Sequence, residues 1–305
     1  MNFRKSVFVA VGLVVSLTRG FAQTHSIGQL QQQFEQIAPA ARGRVGVAAL
    51  LLETGETAGL NARERFPMQS VYKVPIGMAV LHQVDLGRLK LDQTIHVSTN
   101  DFVPPQVYSF VRDEHPGGAD LSVRDLLRAM VSGSDGTACD VFLRLLGGAQ
   151  AVQNYLQSLG ITNVAVVATE TEMGRDEQVQ YRNWAFPETM VAVLRNLYEG
   201  RNLSESSRAL LLQFMTGTTT FPGRIKGLLP AGTVVAHKTG SSRTVNGLAR
   251  TTNDVGLITL PDGRHLAIAV FVSDSTADMA VREAVIARIT RAAWDYWTSR
   301  YRGPG

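Results

Sequence analysis

Val255-Gly256-Leu257-Ile258-Thr259-Leu260, Pro261-Asp262-Gly263 and His265-Leu266-Ala267-Ile268-Ala269-Val270-Phe271-Val272 read as two apolar strands joined by turn chemistry, a β-hairpin near the end of the chain. Two further strands precede it, over 233–237 and 245–250, and a helix over 277–301 follows it. The other end of the chain has the same character. Ile27, Leu30, Phe34, Ile37 and Ala41 recur at helical spacing, an apolar strand covers 45–52, and Glu53-Thr54-Gly55-Glu56 turns into a second strand. Between these ends, from 66 to 216, the periodicity is helical, with helices over 123–131 (capped by Ser122), 138–146, 149–159, 187–198 and 206–215. One stretch of that middle, 169–183, is acidic and polar with no apolar period, which marks an Ω-type loop. The expected fold is therefore α/β: an antiparallel five-stranded sheet flanked by helices, whose two chain ends meet in one layer, with an all-α domain grown from its middle. The α/β domain takes residues 23–65 and 217–305. The all-α domain takes 66–216 and contains the Ω-type loop 168–183.

The composition fits an ordinary globular protein: 305 residues, 45% hydrophobic, 18% charged, which excludes disorder, collagen and coiled coil. The single cysteine, Cys139, excludes an internal disulfide and reads as inert packing in a helix. Arg4 and Lys5, an apolar stretch over 7–17 and the small residues Gly20 and Ala22 form a cleavable export signal over 1–22; a membrane anchor would need about 20 apolar residues. Without that segment the 30 Lys+Arg fall to 27 against 26 Asp+Glu, a net charge of +1 that predicts no nucleic-acid partner. Export with one unpaired thiol suits a bacterial envelope compartment, the periplasm, with no stable membrane association after cleavage. His25, His82, His96, His115, His237 and His265 show no metal-ligand spacing, so no metal is expected, and the ring of His237 should face away from Lys238 across the sheet.

Ser70-Val71-Tyr72-Lys73 places a hydroxyl and an amine on one helix face, where the serine gains a local base. Its position strengthens it, after the loop-like Phe66-Pro67-Met68 and at a helix start whose free N–H groups favour developing negative charge. Pro75 is tolerable only if it lies in the first turn. Ser134-Asp135-Gly136 lies between two helices, and Lys238-Thr239-Gly240-Ser241 ends a strand. Each alone is an ordinary turn or strand end. Their order with Glu170, at successive separations of 64, 36 and 68 residues and each at a segment border, is what carries information.

These motifs resemble the Ser-x-x-Lys, Ser-Asp-Asn and Lys-Thr-Gly set of the class A serine β-lactamases over nearly the whole chain. The resemblance implies that Ser70 is the acylated nucleophile, Lys73 its base or proton relay, Ser134 the proton donor to the leaving lactam nitrogen, and Glu170 the activator of the deacylating water. It implies that the backbone N–H groups of Ser70 and Ser241 form the oxyanion hole, and that Lys238, Thr239 and Ser241 hold the substrate carboxylate. Gly136 stands where the family has an amide that contacts substrate, and Gly174 stands where Glu-x-x-x-Asn would place the asparagine that holds the hydrolytic water. Backbone groups or another side chain must then hold that water. Ala168 and Asn183 stand where many members close the loop with an Arg–Asp pair. This pattern, with Gln178-Val179-Gln180-Tyr181 and Thr218-Thr219-Thr220, is similar to the PER-type extended-spectrum subgroup, and the missing pair hints at room for bulky oxyimino side chains. In that subgroup's pattern Arg224 supplies a guanidinium for the carboxylate, with Arg243 as competitor. Tyr108 becomes a gateway aromatic at the cleft mouth, or a tyrosine packed on the α domain. The expectation is a monomeric, cofactor-free enzyme that hydrolyses the β-lactam amide of penicillins and cephalosporins and gives antibiotic resistance. A penicillin-binding D-Ala-D-Ala peptidase and a β-lactam sensor domain are the alternatives.

Overall fold

The computed structural model describes residues 26–300; the expected signal at 1–22 and the last expected helical residue, Tyr301, lie outside the described residues. β1 (Arg44–Leu51) pairs antiparallel with β2 (Thr57–Leu60) on one side and on the other with a strand from the far end of the chain, Arg44 opposite Ser273 and Leu51 opposite Leu266. The later strands are β3 (Val235–Ser241), β4 (Thr244–Val245), β5 (Leu248–Thr259) and β6 (His265–Ser275). The sheet order is β2-β1-β6-β5-β3, with the short β4 added against β5. The two chain ends do meet in one layer.

Both sheet faces are covered, so β1 and most of β6 are apolar along their length, yet the period of two survives in which core each residue joins. Val45, Val47, Ala49 and Leu51 of β1 and Ile268 and Val270 of β6 pack with Leu30 and Phe34 of α1 (Ile27–Ile37) and Trp297 of α8 (Met279–Ser299). Ala48, Leu50, Ala269 and Phe271 turn the other way, into a core shared with the helical region. That region includes α2 (Lys73–Asp85), α3 (Val123–Val131), α4 (Gly136–Leu146), α5 (Glu170–Arg175), α6 (Pro187–Glu199) and α7 (Glu205–Thr216). Ser122 caps α3 as its position suggests, accepting from Asp125 N at 3.0 Å.

Four details differ from the sequence reading. The expected strands over 245–250 and 255–260 are parts of β4 and of one continuous β5; a turn at Asn246 (φ 51°) and Gly247 (φ 76°) separates β4 from β5. The polar run Thr251-Thr252-Asn253-Asp254 looks like a break but is buried, because every side chain in it finds a partner. Thr251 Oγ1 donates to Gln180 Oε1 (2.9 Å), Thr252 Oγ1 accepts from Arg282 Nε (2.8 Å), Asn253 Nδ2 donates to Pro67 O (2.7 Å), and the Asp254 carboxylate accepts from Ile225 N (3.1 Å). β3 extends to Ser241, so Lys238-Thr239-Gly240 lies within the edge strand. α1 ends at Ile37, and a 3-10 turn Ala38–Ala41 containing Pro39 follows. The loop 169–183 contains α5 and a 3-10 helix, Glu177–Arg182. Its start is set by a Thr169/Glu172 capping box rather than by apolar period.

Asn253 ties the sheet to the segment before Ser70 through Pro67 O and Met68 O, while its Oδ1 accepts from Val272 N. Asn253→Ala should lower stability by about 2–3 kcal/mol, since it removes three buried hydrogen bonds and takes the amide donor from Pro67 O; thermal unfolding measures it.

Candidate active site

The nucleophile segment is held by backbone more than by side chains. Asn253 fixes Met68 O, Gln69 adopts a left-handed φ of 47°, and Ser70 falls in the first turn of a 3-10 helix, Gln69–Tyr72, that runs into α2. N–H groups of a first turn have no intrahelical acceptor, so the Ser70 N–H is free for an incoming oxygen. Pro75 lies within the first turn of α2, where it is tolerated. Edge strand β3 passes so close that a Cβ on Gly240 would lie 2.5 Å from Met68 O; only glycine permits this approach. Ser242 N donates to Thr251 O across β3–β5, and alternation then turns the Ser241 N–H to the free edge of β3, facing Ser70's side of the cleft.

Lys73 is buried at the centre. Its Nζ donates to Ser70 Oγ at 3.1 Å and to Ser134 O at 2.8 Å, and lies 2.8 Å from Glu170 Oε1. Two of the three ammonium protons are taken up by the serine oxygens, and the contact with Glu170 Oε1 is an ion pair without hydrogen-bond alignment. Burial by itself would lower the Lys73 pKa, but the Glu170 carboxylate outweighs it and holds the amine above its ordinary value. Ser70 Oγ and Glu170 Oε1, both on Lys73 Nζ, are thus no further apart than one bridging water spans, about 5–6 Å. Ser134, left-handed at φ 62°, receives a hydrogen bond on Oγ from Lys238 Nζ (2.8 Å), which also donates to Thr239 O (2.9 Å). Burial and the neighbouring Lys73 charge push the Lys238 pKa well below that of a free lysine.

Glu170 opens α5, and Asp140 of α4 holds that end: its Oδ1 accepts from Glu170 N (2.8 Å) and Oδ2 from Thr171 N (2.9 Å). Burial, then the Glu170 charge, pushes the Asp140 carboxyl up to about 6. The loop neck, lacking an ion pair, is closed by the Asn183 amide, whose Oδ1 accepts from Val167 N (2.8 Å) and Ala168 N (2.9 Å) and whose Nδ2 donates to Ala168 O (2.8 Å). The outer loop is fastened to the sheet by Gln180, by Glu177 with Arg250 (2.8 Å), and by Tyr181 on Asp274.

The cleft has a volume of about 420 Å³, within the range of small-molecule sites, and Ser70, Lys73, Ser134, Glu170, Thr239 and Ser241 all line it. Thr239 Oγ1 is 2.6 Å from Thr220 Oγ1. Tyr108 also lines the cleft, 61% exposed, with its ring 6.3 Å from that of Phe110. The two arginines differ. Arg224 is fully buried, stacked on Phe221, and reaches the cleft only through Ser241 Oγ (2.7 Å), whereas Arg243 is on the cleft wall, 3.8 Å from Glu177. Gly136 is buried at the start of α4, its N–H donating to Tyr108 O (3.0 Å). His237 sits behind β3, its Nδ1 3.0 Å from Asp254. Burial pushes the Cys139 thiol far up, against Tyr72 OH, which suits inert packing.

Sequence reasoning missed Asp140 and Asn253 and the left-handed backbone of Gln69 and Ser134, and it gave Gln180 only as part of a subgroup pattern, without its contact to Thr251. A polar run inside a strand and a lone acid one turn into a helix give no local signal of pairing with residues far along the chain.

A family model described as the Beta-lactamase enzyme family matches residues 29–297. The extended-spectrum β-lactamase PER-1 of Pseudomonas aeruginosa is 42% identical over 96% of this chain and 95% of its own length. β-Lactamase VEB-1 of the same species is 37% identical over 97% of this chain and 99% of its own. The crystal structure of a β-lactamase from Chitinophaga pinensis superposes with a TM-score of 0.85 at 48% identity, covering 87% of this chain and 98% of that one. The chain belongs to the class A β-lactamases and is PER-like among them; it is a hydrolase of β-lactams. Among the described residues no helix is long and apolar enough to cross a membrane.

The Asp140 carboxyl takes up its proton near pH 6, above an unfolded aspartate's usual 3.9 or so, with two consequences of opposite sign. The folded state binds that proton more tightly, so this group's contribution to stability is full below about pH 4 and is lost as pH rises through 6. Protonation also weakens the acceptor holding Glu170 N and Thr171 N, so turnover should fall as pH drops through 6. Thermal midpoints and kcat measured from pH 7.5 to 5, for wild type and Asp140→Asn, should show both trends in wild type and neither at this position in the variant.

Proposed function

We propose that Ser70 opens the β-lactam ring and that Glu170 then directs water at the resulting ester, with Lys73 moving the protons between them. The observation that carries this reading is the single ammonium of Lys73 in contact with Ser70 Oγ, Ser134 O and Glu170 Oε1. In the resting enzyme Lys73 is charged and Glu170 is the available base. Lys73 gives a proton to Glu170 and, now a neutral amine, takes the Ser70 proton as Oγ bonds to the lactam carbonyl carbon. The C–N bond breaks, Ser134 Oγ–H protonates the departing nitrogen, and Lys73 restores the Ser134 proton and recovers its own from Glu170. Glu170 next deprotonates water, which attacks the ester carbonyl, and the proton returns to Ser70 Oγ as the acid leaves. The N–H groups of Ser70 and Ser241 stabilise the oxyanion in both halves, an effect typically of about 3–4 kcal/mol per donor.

The substrate carboxylate fits the opposite side. Thr239, Ser241 and Arg243 line that side, Arg224 would orient Ser241, and Lys238 would act from beneath through its contacts with Ser134 Oγ and Thr239 O; an arriving anion would raise the Lys238 pKa again. Tyr108 borders the remaining acyl side chain, whereas Gly136, expected there, is buried behind Val107 and does not line the cleft. Penicillins and cephalosporins are the substrate class, the chain acts as a monomer, and hydrolysis takes place in the periplasm and confers antibiotic resistance. The peptidase and sensor alternatives share the Ser-Lys, Ser and Lys-Thr-Gly elements but have no use for a buried carboxylate on the nucleophile's lysine.

Ser70→Ala should lower kcat/KM for a chromogenic cephalosporin by at least about 10³-fold. Glu170→Gln should acylate and stall, giving a stable adduct by intact-protein mass spectrometry. Wild-type turnover in Glu170→Gln would contradict the assignment.

A further inference from the structure

The two glycines that depart from the family motifs, Gly136 and Gly174, are linked through one side chain. A Cβ on Gly136 would lie 2.7 Å from Val107 Cγ1, and a Cβ on Gly174 would lie 2.4 Å from Val107 Cγ2. At Gly174 the next nearest atom is Pro104 Cγ at 3.6 Å, so Val107 alone closes that position. Neither glycine has a positive φ, so backbone conformation does not demand it; the space taken by Val107 does. The loop that carries Val107 is itself built. Arg112 Nη1 donates to the carbonyls of Val103 (3.1 Å), Pro104 (2.9 Å) and Val107 (3.1 Å), folding the loop round one guanidinium. The loop also bonds to both partners: Gln106 Nε2 donates to Gly174 O (2.6 Å), and Gly136 N donates to Tyr108 O (3.0 Å).

We infer that Val107 is a positioning residue, a wedge whose two methyl groups set the spacing between the Ser134 turn and the α5 helix that carries Glu170. That spacing matters because Lys73 Nζ must reach Ser134 O and Glu170 Oε1 together, each at 2.8 Å. An error of about 1 Å in such a contact can cost up to a hundredfold in rate. The wedge gives physical content to the two glycines: one apolar contact stands where two side chains would otherwise meet. The inference rests on Glu170 as the deacylating base.

Gly174→Ala, Val107→Ala and the double variant test it, read by burst kinetics, KM against kcat, acyl-enzyme fraction and thermal midpoint. Alanine is the better helix former, so without the wedge Gly174→Ala should raise the midpoint. With it, the midpoint should fall, deacylation should slow about tenfold or more while acylation changes less, and acyl-enzyme should accumulate. Adding Val107→Ala should return deacylation to within about threefold of Val107→Ala alone, a coupling expected only of groups in contact. If Gly174→Ala folds only together with Val107→Ala, the wedge is equally supported. Wild-type deacylation in Gly174→Ala, independent effects in the double variant, or failure of both to fold would overturn it. Glu170→Gln run alongside separates the two readings: trapping there with normal Gly174→Ala sinks the wedge alone, and absence of trapping sinks the assignment of the base.

Discussion

A lysine and a glutamate, both nearly inaccessible to solvent, face each other at 2.8 Å at the bottom of the cleft, and the surrounding structure is arranged to make that pair tolerable. Removing two charges from water costs several kcal/mol per ion, and mutual attraction offsets this only when the remaining donors and acceptors are also satisfied. Lys73 meets the condition through Ser70 and Ser134, whereas Glu170 is held in place through its own backbone by Asp140 and its Oε1 has only the ion pair. A pair of similar-sized apolar residues would pack there at less electrostatic cost. The pair's value lies in chemistry: a proton can cross 2.8 Å in either direction, so one ammonium can serve two bases in turn.

Supporting that pair takes polar groups in places where apolar ones would be the default. The middle of β5 is buried and polar, and its members reach outward: Asn253 to the segment before Ser70, Thr251 to Gln180 of the Ω-type loop, Asp254 to His237 behind the edge strand. The sheet therefore acts as a common base for the nucleophile, the loop and the Lys238 strand. Gly240 removes the last obstruction between β3 and Met68. Where the loop neck lacks an ion pair, a single amide makes three backbone contacts and leaves no charge to desolvate.

Much of this was legible in the chain. Apolar runs and turn residues mark the strands at both ends, and capping with 3.6-residue periodicity marks most helices, because these signals are local. Ser70, Lys73, Ser134, Glu170 and Lys238 are readable as a set from their order and borders; the structure gathers the first four around one cavity and sets Lys238 behind them, on Ser134 Oγ. What the sequence hid depends on contacts between distant segments. Thr251 to Asp254 look like a loop until their partners are known; the helix of the Ω-type loop is too short to show a period; Asp140 resembles any surface acid on a helix. Arg224 and Arg243 are equivalent as residue types, and only the fold makes one a buried support for Ser241 and the other a cleft-wall cation.

The charge state of Lys73 is the point on which the whole proton route turns. Selective isotope labelling of lysine and NMR titration of its ε-position in the unliganded protein measures it directly. The account predicts a Lys73 ammonium that persists above the usual lysine midpoint of about 10.4 and becomes markedly more acidic when Glu170 is replaced by glutamine. A Lys73 amine already neutral at pH 7, or one whose titration ignores residue 170, would contradict it.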